Sequence, residues 1–198
     1  MTDQTQRFEV QAEWVHVKYA ETSRFKEVYG FAGNQGVVNL EGIRYLPRGH
    51  VSQTLLIYMH PASTLQLLPM PRAMAERGVH VLCAASRYAR NDTALIMENV
   101  VVDLGAYMRH AREVWGYRKI VIAGWSGGGS LALFYQSQAE KPTITHTPAG
   151  DPCNIMTARA DSGRRIHLSG RARIARGGVV GLDRSVGARR GRPGPARS

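Results

Sequence analysis

The residues with the clearest chemical promise are Gly124-Trp125-Ser126-Gly127-Gly128. A bare G-x-S-x-G is a weak signal, because glycine and serine are common. Its setting makes this one strong: it follows Ile120-Val-Ile-Ala123, a short apolar run of strand type, and precedes a helical segment starting near Leu131. A serine at so tight a strand-to-helix turn is forced into a strained backbone. Side chains two residues to either side would clash, which accounts for Gly124 and Gly128. The turn lifts the Ser126 hydroxyl clear of the sheet and places it at a helix N-terminus, where free N–H groups favour developing negative charge. That is the chemistry of a nucleophile attacking a carbonyl. A purely structural glycine turn is the plainer reading and rarely needs this arrangement. The same stretch, Gly127 to Ala132, also fits the G-x-G-x-x-A of a dinucleotide site. Such a site needs a second buried strand ending in an acidic residue about 20 residues on. The region that follows, Lys141 to Pro148, is polar and broken by prolines. The serine reading wins.

The elements that must position Ser126 form a regular pattern. Phe8–Tyr19 and Val37–Leu46 read as two antiparallel strands, with Gly30, Gly33 and Gly36 in the loop between them. Leu55–Met59, Val79–Ala84 and Lys119–Ala123 are continuous apolar runs, as expected of strands buried on both faces. Between them lie helices predicted at Pro71–Arg77 and Ile96–Trp115, with a third at Leu131–Gln138. In the long helix Val101, Leu104, Met108 and Ala111 make an apolar stripe, and Asp103, Arg109, Arg112 and Glu113 fall away from it. The alternation predicts an α/β fold: a doubly wound, mainly parallel sheet with helices on both faces and reactive groups at the carboxyl ends of its strands.

This segment, about residues 36–150, resembles the α/β-hydrolase superfamily of serine esterases and lipases. The resemblance rests on the Gly124–Gly128 elbow and on Met59-His60-Pro61-Ala62-Ser63, which stands where the family has an early loop often beginning His-Gly. It implies that the Gly127 N–H and one loop N–H stabilise an oxyanion beside Ser126. Pro61 has no N–H, so that role passes to Ala62. His60 reads as a hydrogen-bonded structural residue of the loop and Trp125 as core or pocket wall. The implied substrate is a small-molecule ester or related acyl compound, with no cofactor and no metal. The family orders its triad Ser, then Asp or Glu, then His. After Ser126 that order is met by Asp151 or Asp161 followed by His167, with Asp161–His167 as the candidate pair; Asp183 comes too late, and His146 has only Glu140 before it.

The pattern breaks near residue 150. Thr143–Thr147 could form one short strand, but from Asp151 there is no Phe, Tyr, Trp, Glu or Lys, and Gly, Arg, Ala, Ser and Pro dominate. The expected organisation is a hydrolase-like core, residues 1–150, truncated on its C-terminal side, and a disordered Arg/Gly-rich tail, residues 151–198. Arg supplies all 11 cationic residues of the tail, the composition of GC-rich codons read out of frame, and predicts a frameshift near residue 150. The tail also carries most of the net charge of +11. With no interleaved aromatics, it is weak evidence for nucleic-acid binding. No apolar run approaches the roughly 20 residues of a membrane span. The polar N-terminus and the two distant cysteines, Cys83 and Cys153, make a cytoplasmic protein the default expectation. Oligomeric state is not legible.

Overall fold

The three apolar runs pair as a buried parallel core. The computed structural model describes residues 7–20, 36–153, 155, 171–174 and 180–183. Strands β1 (Val10–Ala20), β2 (Val37–Pro47), β3 (Thr54–His60), β4 (His80–Ala85) and β5 (Lys119–Gly124) form one sheet in the order β1-β2-β4-β3-β5. β3 lies between β4 and β5 and is parallel to both, with Leu56 opposite Val81 on one side and Val121 on the other. All six residues of β4 and five of the seven in β3 are buried, so continuous apolar runs are what these positions require. β1 and β2 form a long antiparallel ribbon, and β2 joins β4 antiparallel only over Gly42–Tyr45. Gly42 permits that junction, because a Cβ there would sit 2.7 Å from the Cys83 carbonyl oxygen.

The helices cover both faces, as the doubly wound reading requires. α2 (Met97–Glu113) and α3 (Gly127–Glu140) pack on one face, where Leu104, Tyr107 and Leu131 join Leu55, Ile57 and Leu82 in the larger core. The short α1 (Pro69–Ala75) covers the other, with Ala75 against Leu56, Tyr58 and Val81. The helix ends move by a few residues from the sequence reading, and α3 begins at once after Ser126.

Three expectations are corrected. Asp103 is not on the exposed side of α2 but wholly buried; it accepts the Arg87 guanidinium at 3.0 Å and the Tyr19 hydroxyl at 2.7 Å, which satisfies a charge that burial alone would forbid. Thr143–Thr147 is not a strand and makes only an isolated bridge, His146 to Pro152. The reason is local: the Gln138 side-chain carbonyl takes the Thr143 and Ile144 N–H groups at 2.9 and 3.1 Å, so they are spent on closing α3. Finally, the stretch read as strandless holds a small antiparallel hairpin, β6 (Arg171–Ile174) with β7 (Val180–Asp183). A composition argument averaged over the whole tail passes over segments of four residues. Gly30 and Gly33 lie outside the described residues.

At the end of the sheet away from Ser126, His80 is buried between two fixed partners. The Tyr117 hydroxyl pairs with its Nδ1 at 2.7 Å, and its Nε2 donates to the His50 carbonyl at 3.0 Å. Burial holds His80 below the usual histidine range, His50 and Arg44 push the same way, and the His50 carbonyl bond opposes them. His60 and His110 are lowered by burial too, with Arg44 also acting on His110. The unfolded chain takes up these protons near pH 6.5 while the folded chain resists. Stability is therefore full above about pH 6.5 and is lost as the pH falls toward the depressed folded values. We expect a lower melting temperature at pH 5 than at pH 7, and a smaller drop for His80→Gln. An equal melting temperature at both pH values would contradict this.

Candidate active site

β5 delivers the chain to the elbow and α3 takes it away. Ser126 sits between them with φ 52° and ψ −123°. Only Ser126 and Arg90 have positive φ among the described non-glycine residues. Such a backbone costs on the order of 1–3 kcal/mol and persists only where its surroundings impose it. They do so here by contact. A Cβ on Gly124 would lie 2.0 Å from the Gly128 carbonyl carbon, and one on Gly128 would lie 2.2 Å from the Met59 carbonyl oxygen. The elbow is thus pressed against itself and against the end of β3. Gly128 and Gly129 N–H groups close the first turn of α3 onto the Trp125 and Ser126 carbonyls at 2.9 and 3.0 Å. The Gly127 N–H meets no acceptor among the described residues. Ser126 itself is exposed.

The loop after β3 comes up beside the elbow. His60 Nε2 is 3.3 Å, and Pro61 Cδ 3.7 Å, from where a Cβ on Gly127 would sit. Trp125 is 45% exposed, which makes it a wall rather than core, and its ring centre lies 6.1 Å from that of His60. His60 binds the loop as expected. Its Nδ1 accepts the Ala62 N–H at 3.1 Å and the Ser63 N–H at 3.0 Å. An imidazole nitrogen that accepts two hydrogen bonds carries no proton, so the proton is on Nε2. Burial, which lowers the His60 pKa, favours the same neutral form.

The Ala62 amide has a partner of its own. Its N–H is on the correct segment but is engaged by His60 Nδ1, so it is not free for a ligand in this conformation. The sequence reading also missed Ser63, whose N–H points to the same acceptor. The loop carbonyls are held as well: Pro61 O accepts the Ser86 hydroxyl, and Ala62 O accepts the Arg90 N–H at 2.8 Å.

Asp161 and His167 lie outside the described residues. Asp151 is in the turn after α3, its N–H on Thr147 Oγ1 at 3.2 Å, and the exposed His146 ring pairs with Thr145 Oγ1 at 2.9 Å. A cleft of 420 Å³ opens between Trp14, Glu41 and Ile43 of the ribbon, Gln66, and Ser86 and Arg90; Ser126 does not line it. No group of three His, Cys, Asp or Glu suited to a metal occurs among the described residues. No described helix is long and apolar enough to cross a membrane.

Among solved structures, the chain is similar to brefeldin A esterase, a bacterial homologue of human hormone sensitive lipase. The match has a TM-score of 0.50 and 19% identity, over 71% of this chain and 38% of that one. It is also similar to a bacterial heroin esterase, with a TM-score of 0.49 and 16% identity over 68% and 41% of the two chains. The likeness to brefeldin A esterase shows the α/β-hydrolase fold. The chain spans about two fifths of the length of the structures it matches. No protein-family model and no curated protein matches it.

Proposed function

We propose that this chain is built for serine hydrolase chemistry on a carboxylic ester or related acyl bond, with Ser126 as nucleophile. The observation that carries the reading is the Ser126 backbone, φ 52° at the junction of β5 and α3, imposed by Gly124 and Gly128. A turn held in so costly a conformation serves to present one side chain, and that side chain is an exposed hydroxyl at a helix N-terminus. In the proposed reaction Ser126 Oγ attacks the acyl carbon, the alcohol leaves, and water then releases the acyl group from Oγ. The Gly127 N–H, without an acceptor among the described residues, is the first donor to the oxyanion. Ala62 becomes the second when its N–H exchanges His60 Nδ1 for the substrate oxygen, a change of partner within a loop already in place. Asp161 and His167 are the proposed orienting acid and base, on their order along the chain alone. A small-molecule acyl substrate and no organic cofactor follow from this mechanism.

Labelling of the 198-residue chain with a fluorophosphonate probe, followed by peptide mapping, tests the reading. The expected adduct is on the peptide containing Ser126. Folded protein that takes up no label, or takes it up elsewhere, would overturn it.

A further inference from the structure

The loop beside the elbow is held by Ser86, which lies outside the elbow and the loop. Ser86 is the first residue after β4 and is 5% exposed. Its hydroxyl donates to the Pro61 carbonyl and accepts the Tyr88 N–H at 3.0 Å, so both its proton and a lone pair are committed. Four residues on, the Arg90 N–H donates to the Ala62 carbonyl at 2.8 Å. A trans peptide carries its C=O and the following N–H on opposite sides. Fixing the Pro61 and Ala62 carbonyls toward the β4 side therefore turns the Ala62 and Ser63 N–H groups the other way, onto His60, whose ring reaches Gly127.

The segment that grips the carbonyls is itself anchored. The Arg87 N–H donates to Asp103 Oδ2 at 2.9 Å, and the Arg87 guanidinium pairs with the same carboxylate at 3.0 Å. The carboxylate belongs to the middle of α2 and is fully buried, while the Tyr19 hydroxyl of β1 donates to the same Oδ1 and accepts from the Arg87 guanidinium. A buried, bidentate pair of this kind is rigid because breaking it strands a charge. The chain of constraint runs from α2 through Arg87 to Ser86 and Arg90, and from there to the direction of two loop amides.

We propose that Ser86 is a positioning residue for the site around Ser126: through the Pro61 carbonyl, and braced by Arg87–Asp103, it fixes the direction of the Ala62 and Ser63 N–H groups, which it holds on His60 Nδ1 beside the elbow. The proposal deepens the hydrolase reading and rests on it for its kinetic consequence. Donors that stabilise developing charge act through orientation fixed before the reaction. Ser86 touches no substrate in this scheme, so its loss should slow the chemical step and leave substrate binding little changed.

Two readouts on the full chain test this, one of them independent of chemistry. Ser86→Ala is expected to raise hydrogen exchange at the Ala62 amide about tenfold relative to amides of the β1–β2 ribbon, since one hydrogen bond is worth about that factor. It is also expected to slow fluorophosphonate labelling of Ser126 about tenfold. Ser86→Thr, which keeps the hydroxyl, should restore both to within a factor of about two. If Ser86→Ala does not fold, Ser86→Cys, similar in shape but a weaker donor, should move both readouts the same way. Unchanged exchange at Ala62 in a folded Ser86 variant overturns the proposal, and so does a rise no larger than that of the ribbon. A wild-type chain that takes no label sinks the hydrolase reading instead, while the exchange readout still decides whether Ser86 aims the loop.

Discussion

Ser126→Ala is expected to abolish fluorophosphonate labelling and to bring ester hydrolysis down to the level of oxyanion and binding effects alone. In a serine hydrolase with a working base, removing the nucleophile costs on the order of 10⁶ in turnover. The size of the loss in this chain is therefore informative beyond its sign. A ratio near 10⁶ means that a base serves Ser126, and His167→Ala should then reproduce most of it. A far smaller ratio, with labelling still confined to Ser126, means that the elbow is formed and no base reaches it. Hydrolysis and labelling both unaffected by Ser126→Ala would remove the proposed function. Substitution of serine by alanine at an exposed turn should leave the melting temperature nearly unchanged, so the loss is not one of folding.

Gly128→Ala is expected to be, with Gly124→Ala, among the most damaging single-methyl changes at the described glycines. The new carbon would stand 2.2 Å from the Met59 carbonyl oxygen and 3.3 Å from its carbonyl carbon, both backbone atoms at the end of β3. No side chain can rotate to make room, so α3 would have to lift off the sheet and take the elbow with it. A cost above about 4 kcal/mol is expected, a large share of the 5–15 kcal/mol that holds an ordinary domain together. The neighbouring Gly129→Ala provides the contrast, because its Cβ would meet nothing within 4 Å. There the helix should gain by about 0.5–1 kcal/mol from the better propensity of alanine. Melting temperatures of the two variants should therefore move in opposite directions. A Gly128→Ala protein that melts with the wild type would show that the close approach to Met59 is not needed.

Much of this could be read from the residues, for identifiable reasons. β3, β4 and β5 were legible because a strand covered on both faces must be apolar at every position, as Leu55–Met59 and His80–Ala85 nearly are. The Ser126 turn was legible because its geometry excludes side chains at Gly124 and Gly128, and exclusion leaves a mark in sequence. What escaped were pairings between distant polar groups. Nothing in the helical stripe of α2 indicates that Asp103 turns inward, since its reason is Arg87 on another element. The bond from the Ala62 amide to His60 Nδ1 also went unread, because backbone amides carry no sequence signature. The end of α3 was missed because a single side chain, Gln138, satisfies the amides that a strand would have used.

The register of the sheet also sets an order of events during folding. β1 and β2 pair antiparallel with Ala20 opposite Val37, a far smaller separation along the chain than any pairing of β5. β5 cannot pair until the chain has closed over β4 and the whole of α2, because its first residue, Lys119, lies opposite Thr54. Closing a longer loop before any contact repays it is slow, so the β1–β2 ribbon should acquire exchange protection in refolding before β5 does. The Ser126 turn hangs from the end of β5, and so the reactive part of the molecule is completed last. Until then β3 has one unpaired edge, and a second chain passing at that moment can take the place meant for β5.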